Sequence, residues 1–163
     1  MLKLRKNKKG FTLVELIVVI AIMAVLAGTI AGVTVTQLNK QTDNTNKTQA
    51  KAIADFIAGE ILDSTSDIYV SGALNGAKIK EVIKGQYGSV NFTMGTGTNA
   101  NTIADAPANK GEFAVKFTAA TAAVGDTPAA PATIEILYKQ KQGAKVGGWI
   151  VSDTGVVTEK AYA

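Results

Sequence analysis

The chain has no cysteine and no histidine among its 163 residues. Without cysteine it can form neither disulfides nor thiol-ligated metal sites. Without histidine it lacks the side chain that most often serves as general base and as metal ligand. A serine triad and an ordinary zinc site are therefore excluded, and we predict no catalytic residues, no cofactor and no metal site.

Positive charge is concentrated at the N-terminus. Five of the 17 basic residues stand within the first nine positions, where no acidic residue occurs: Lys3, Arg5, Lys6, Lys8 and Lys9. The rest of the chain contains 12 basic and 13 acidic residues, so the net charge of +4 comes from the first nine residues. A short cationic head before an apolar run holds that end of a membrane protein in the cytoplasm. We prefer this interpretation to a nucleic-acid footprint and predict no specific nucleic-acid partner.

The longest apolar run occupies residues 11–35, and its single charged residue is Glu15. Residues 16–35 are enough to cross ~30 Å of hydrocarbon as a helix that rises ~1.5 Å per residue. Residues 39–49 are polar throughout. An apolar stripe with helical spacing then returns at Ile53, Phe56, Ile57 and Ile61. These changes predict one long helix that meets membrane, then solvent or a partner, and then a domain of its own.

Beyond residue 64 the apolar residues alternate with polar ones, as in strands with one buried face. The alternating residues fall into three groups: Val90, Phe92 and Met94; Phe113, Val115 and Phe117; and Ile134, Ile136 and Tyr138. We therefore predict an α+β fold in which an antiparallel sheet of about four strands packs on the amphipathic half of a long N-terminal helix.

The remaining segments of this region are turns and connections. Residues 148–160 are expected to form a hairpin, with its turn near Asp153, Thr154 and Gly155. Residues 77–83 predict a short helical turn. The stretches 95–111 and 119–132 have few side chains to bury, which indicates surface loops.

The most informative segment is KKGFTLVEL, residues 8–16. It resembles the N-terminus of type IV prepilins and of the pseudopilins of type II secretion. In these proteins a short basic leader ends in Gly, an apolar residue follows, and Glu comes four positions later. Gly10, Phe11 and Glu15 match this pattern. The resemblance implies that a prepilin peptidase removes the leader, residues 1–10, and methylates the new N-terminus at Phe11.

The same resemblance implies a type IV pilin fold and a fibre-forming role. The subunit would first be a single-pass protein of the cytoplasmic membrane, with residues 36–163 as its globular domain. The assembly machinery would then join copies through residues 11–35 into an extracellular pilus for adhesion, motility or biofilm formation. The lack of a cysteine pair is more typical of Gram-positive pilins.

Glu15 is the residue that the apolar run does not explain. A charged side chain at the centre of a membrane span costs on the order of 2.5–3.5 kcal/mol, and less near its edge. After cleavage Phe11 carries an ammonium group, and Glu15 of one subunit could pair with this group in a neighbour. Such a pair offsets two desolvation penalties and sets the stagger between subunits. The alternative is a hydrated Glu15 at the membrane edge.

Gly28 and Gly32 have the GxxxG spacing that lets membrane helices approach closely. The plainer interpretation is that each only weakens the helix, by about 1 kcal/mol relative to Ala. Many proteins of the resembled family have proline where Gly32 stands, and their helix loosens near this point in assembled fibres. Glycine could serve that end by another route.

Other classes of protein remain as alternatives. A signal peptide cleaved after Ala27 conflicts with Glu15 and with the length of the apolar run. A membrane-tethered binding domain explains the span but leaves the Gly10, Phe11 and Glu15 set unexplained. A pseudopilin or a minor pilin stays open, although Asp153 and Glu159 lack the acid-rich loop of a pseudopilin calcium site. An enzyme is least favoured, because the acids are scattered and GTGTN at 95–99 lacks the lysine and helix of a phosphate loop.

Overall fold

The computed structural model describes residues 10–88, 92–94, 102–103, 107, 109–125 and 128–163. They form α1 (Leu13–Leu62), α2 (Gly76–Tyr87) and eight strands: β1 (Tyr69–Val70), β2 (Ala73–Leu74), β3 (Phe92–Met94), β4 (Thr102–Ile103), β5 (Phe113–Thr118), β6 (Thr133–Lys139), β7 (Val146–Ser152) and β8 (Val157–Lys160). The chain divides into two compact units, Met1–Leu38 and Asn39–Ala163. Helix α1 contributes to both.

The first unit contains the apolar part of α1. Every side chain described between residues 10 and 38 is exposed. A helix satisfies its backbone hydrogen bonds internally, so this segment needs no other element to form. Its apolar surface is left without cover in the single chain.

The second unit begins with the polar part of α1. Residues 39–49, which are polar throughout, belong to the helix. The predicted stripe that follows is buried: Ile53 and Ile57 are fully buried and Ile61 is 5% exposed. Phe56 packs edge-on against Tyr87 of α2, with ring centroids 5.7 Å apart.

Helix α2 is longer than the helical turn predicted at 77–83. Its cap explains the early start, because Asn75 Oδ1 accepts hydrogen bonds from the backbone N–H groups of Ala77 and Lys78 at 3.0 and 3.2 Å. Ile79 and Ile83, one turn apart, are fully buried. The short hairpin of β1 and β2 before it was not predicted.

The predicted antiparallel sheet is confirmed in β5, β6, β7 and β8, which are neighbours in that order. Its inner face meets α1 in one core, which also includes Ile68 and the two isoleucines of α2. The inner-face residues of β5 and β6 are those whose alternation predicted the strands: Phe113, Val115, Phe117, Ile134, Ile136 and Tyr138.

The edge of the sheet beside β5 differs from the expectation of antiparallel pairing throughout. Strand β3 pairs with the first half of β5 and is parallel to it, whereas β4 pairs with the second half and is antiparallel. A strand can return parallel to an earlier one only through a long connection, and the segment between β3 and β5 is long enough. Val90, which we placed in the same strand as Phe92, lies outside the described residues, as does most of 95–111.

The predicted C-terminal hairpin is confirmed as β7 and β8. Its turn contains Asp153, Thr154 and Gly155, with a positive φ of 76° at Gly155. Where described, the loop 119–132 is mostly exposed, and Thr121 and Ala130 form an isolated bridge across it.

Candidate assembly site

Thr12 and Glu15 cap the start of α1. The carboxylate oxygen Oε2 of Glu15 accepts hydrogen bonds from the backbone N–H and the hydroxyl of Thr12, both at 2.8 Å. In return, Thr12 Oγ1 accepts from the N–H of Glu15 at 3.3 Å. This is a capping box, in which the side chains of the residues at the start and third position of a helix satisfy each other's backbone donors. The sequence TLVE has this pattern, but our sequence interpretation missed it.

The predicted cleavage site lies just before this cap. Gly10 and Phe11 are exposed, Phe11 to 91%, and both precede the first helical residue, Leu13. The bond between them is therefore outside the helix, in a segment that a protease could hold extended. Residues 1–9 of the predicted leader lie outside the described residues, and the processing roles of Gly10 and Phe11 stay predictions.

Three threonines within or just after the apolar run donate hydrogen bonds from their hydroxyls to backbone carbonyls of the same helix. Thr29 donates to Leu26 O at 2.9 Å, Thr34 to Ile30 O at 2.9 Å and Thr36 to Gly32 O at 3.2 Å. Hydroxyls that bond to their own helix do not need water, so they are tolerated in an apolar environment. Within the described residues α1 is also the one helix long and apolar enough to cross a membrane, and its most apolar window has no buried residue.

Gly28 and Gly32 lie one turn apart on the exposed surface of α1. A Cβ atom at either position would have no neighbour within 4 Å apart from the adjacent backbone. Space within the chain thus does not require glycine at these positions. Their packing or loosening role, like the pairing of Glu15 with Phe11 of another copy, concerns contacts between subunits and stays a prediction.

Asp43 is a buried carboxylate that sequence reasoning missed. It is 5% exposed. Its Oδ1 accepts from the Tyr138 hydroxyl at 2.6 Å and from the N–H of Lys141 at 2.8 Å, while Oδ2 accepts from the N–H of Gln142 at 3.0 Å. Asp43 thereby attaches the polar part of α1 to the turn between β6 and β7. The sequence places Asp43 in a uniformly polar segment and offers no local sign of this partner.

The contacts of Asp43 also set its protonation. Burial acts to raise the pKa of Asp43, but the bonds from Tyr138, Lys141 and Gln142 and the charge of Lys47 together hold it below its ordinary value. Burial and the adjacent carboxylate raise the pKa of Tyr138 to about 12. Asp43 is therefore charged and Tyr138 neutral over the physiological pH range.

Two lysines of α1 lie over aromatic rings, one in β7 and one in the segment after β8. Lys47 Nζ lies 4.5 Å from the ring centroid of Tyr162, and Lys51 Nζ lies 5.4 Å from that of Trp149. Cations at such distances are attracted to the ring face. With Asp43, they indicate that the polar part of α1 is a structural edge of the domain and not a segment surrounded by solvent. In the part of the chain that the structure describes, no group of three acidic side chains could hold a metal ion.

Comparison with known proteins supports the N-terminal motif. Residues 5–31 match the family model for the prokaryotic N-terminal methylation motif. No curated protein and no solved structure matched the chain. The match confirms the resemblance to type IV pilin-like prepilins, a group that includes pseudopilins. The motif implies a structural protein that a prepilin peptidase processes, and it is consistent with anchoring in a membrane. The matched residues end at 31, before the second unit begins at Asn39.

Proposed function

We propose that this chain is a structural subunit of a type IV pilus, made as a membrane-anchored prepilin and cleaved between Gly10 and Phe11. Copies would then polymerise through residues 11–35 into a surface fibre used for adhesion, motility or biofilm formation. The observation that carries the proposal is the uncovered apolar segment, residues 11–35, most of which lies within the matched methylation motif. Its described side chains are all exposed, while the second unit has a core of its own.

The exposed apolar segment calls for two successive environments. In the membrane, lipid covers side chains such as Leu16, Ile20 and Leu26, which are 55–62% exposed in the single chain. In the fibre, the same segments of other copies would cover them. Burial of a large apolar side chain contributes about 1.5–3 kcal/mol, so a bundle of these segments is strongly favoured over exposure to water.

The geometry at Glu15 is compatible with the proposed pairing. Both bonds from Thr12 end on Oε2, so Oε1 keeps its capacity to accept a hydrogen bond from an ammonium group of another copy. Cleavage creates that group at Phe11, next to Thr12. One carboxylate could thus cap its own helix and pair with a neighbour at the same time.

The N-terminal residue of the protein in material sheared from the cell surface tests this function. We expect an N-methylated Phe11, detected by intact-mass and peptide mass spectrometry. Gly10→Val should leave uncleaved precursor in the membrane, because a β-branched side chain crowds an extended protease site. Cleavage after Ala27, or mature protein that never leaves the membrane, contradicts the proposal.

A further inference from the structure

Lysines cluster around the turn between β6 and β7, where Asp43 of α1 is bound. Four come from the loop before β5, the end of β6 and the turn, and the fifth lies on α1 one turn before Asp43. We call this set the lysine rim: Lys40, Lys110, Lys139, Lys141 and Lys145. All are exposed except Lys139, which is half-buried.

Backbone contacts bring the rim together from distant parts of the chain. Asp43 binds the N–H groups of Lys141 and Gln142, as described above. Gly111, next to Lys110, donates its N–H to Lys139 O at 2.7 Å. The side chain of Lys141 lies over Gly111, where an added Cβ would be 2.9 Å from Lys141 Cε. The turn itself is closed by a bond from Gln140 N to Lys145 O at 2.9 Å.

The described carboxylate side chains beside the rim are engaged with other groups. Asp43 is buried, with three hydrogen bonds. Glu112 accepts from the N–H and the side-chain amide of Asn109 at 2.9 and 2.8 Å. Among the described side chains, two carboxylates beside five lysines leave an excess of positive charge on this surface.

Asp43, whose hydrogen bonds join α1 to the turn of the rim, follows the apolar run closely along the chain. Asp43 follows Val35 by eight residues, which as helix is about 12 Å. The headgroup layer on each side of a bilayer is about 5–7 Å thick, and charges act over a Debye length of about 8 Å at physiological salt. Counted along the chain alone, Asp43, which binds the N–H of Lys141, thus follows Val35 by no more than one headgroup layer plus one Debye length.

We propose that the lysine rim binds the phosphate groups of anionic phospholipids and holds the domain against the outer face of the cytoplasmic membrane before assembly. The inference rests on the membrane stage of the proposed function. Four rim lysines lie more than 70 residues beyond the apolar run, too far along the chain to affect its orientation signal. Polybasic surfaces beside a membrane anchor bind anionic lipids in this way.

The test uses the full-length chain in lipid nanodiscs that hold one copy each, made with phosphatidylcholine alone or with added phosphatidylglycerol. Lysines are labelled briefly with an amine-reactive reagent and quantified by mass spectrometry. We expect Lys141 and Lys145 to react at least about threefold more slowly in the anionic discs. High salt should abolish the difference, because at 1 M the Debye length falls to about 3 Å. Lys84, exposed on α2, is the internal control and should react equally in both discs.

A second variant links the protection to the rim as a whole. Lys141→Gln with Lys145→Gln should reduce the protection of Lys110, whereas Lys84→Gln should not. Equal labelling in the two lipids would overturn the proposal and leave the pilus function untouched, since neither cleavage nor polymerisation is involved. Protection that requires two copies in a disc would assign the rim to contacts between subunits, and would also overturn it. A chain that fails to insert into either disc would contradict the membrane stage of the proposed function itself.

Discussion

Two carboxylates on the same helix, Glu15 and Asp43, are held in different ways in the two units of the chain. Glu15 lies in the first unit and bonds to Thr12, three residues away. Asp43 lies in the second unit and bonds to groups 95–99 residues away. Around Glu15 the apolar side chains are exposed, whereas beyond Asp43 the apolar stripe of α1, with Ile53 and Ile57, is buried. The comparison separates a segment whose described hydrogen bonds are local from one whose hydrogen bonds join distant parts of the chain.

This difference indicates which property of the protein a substitution in each unit should change. Changes in the first unit should affect assembly and leave the domain folded. Changes at Asp43 should affect the stability of the domain. The following predictions test this separation, beginning with the largest expected effect.

Removal of residues 1–35 should abolish fibres completely. A chain that begins at Thr36 should be monomeric and folded, because the buried stripe of α1 keeps the sheet that covers it. Size-exclusion chromatography and circular dichroism measure the fold, and electron microscopy measures fibres. Fibres from this shortened chain would show that the globular surfaces drive assembly.

Glu15→Ala should be processed and folded but should enter fibres poorly. In the proposed pairing it leaves an ammonium group without its partner in an apolar environment, and loss of one side of a buried pair costs about 3–5 kcal/mol. Glu15→Gln keeps the shape and some hydrogen bonding and should give an intermediate number of fibres. Fibres are counted by electron microscopy, with a blot for mature subunit in the membrane.

The outcomes at Glu15 distinguish three roles. Normal fibre numbers for both variants would favour a hydrated Glu15 at the membrane edge. Accumulated precursor would instead place the role of Glu15 at the peptidase. Few fibres with equal mature subunit would support the pairing.

Asp43→Ala should lower the free energy of unfolding of the domain by about 3 kcal/mol, because Tyr138 and two backbone N–H groups lose their acceptor. Asp55→Ala is the matched control on α1. Its exposed pair with Lys51 contributes at most about 1 kcal/mol. Urea unfolding followed by circular dichroism measures both. Equal stability of the two variants would contradict the structural role of Asp43.

The effect of Asp43 should also depend on pH. Because its folded pKa lies below the ordinary value of ~3.9, its contribution is present above about pH 4 and is lost as the pH falls through the folded pKa. The difference between wild type and Asp43→Ala should therefore shrink in acid. A difference that stays constant from pH 7 to pH 3 would contradict the charge on Asp43.

Tyr138 should make stability depend on pH at the alkaline end. Because its pKa is raised to about 12, its contribution to stability is present below about pH 10 and is lost as the pH rises through about 12.

Thr12→Val should have the smallest effect. It removes the hydroxyl from the capping box, and loss of a helix cap costs about 0.5–2 kcal/mol. Amide hydrogen exchange at residues 15 and 16 should be faster in the purified full-length chain, while Thr12→Ser should preserve the slower exchange. Unchanged exchange in the valine variant would show that the cap does not stabilise the start of α1.

Local patterns predicted much of the fold. The stripe at Ile53, Ile57 and Ile61 and the alternation in β5 and β6 each depend on residues a few positions apart, and such patterns follow from the helical and strand periods. The turn at Asp153 and Gly155 was also predicted from neighbouring residues, through their residue types. The direction of β3 was not predicted, because side-chain alternation is the same in parallel and antiparallel strands.

The candidate site shows the same division. Its N-terminal part lies in one continuous segment whose spacing is visible in the sequence, from Gly10 to Glu15 and through the apolar run. The spacing and length of such a segment are set without help from the rest of the chain.

Tertiary structure alone decided the features that join distant segments. Asp43 is buried because the β6–β7 turn closes over it, and the lysine rim exists because that same turn lies beside the loop before β5. Gly148 is a further case: a Cβ atom there would lie 1.9 Å from Ile136 O across the β6–β7 pairing, so the strand requires glycine for a reason absent from its neighbours in sequence. Asp43, the rim lysines and Gly148 take their roles from what folding brings next to them, whereas the apolar run acquires its role from its own length.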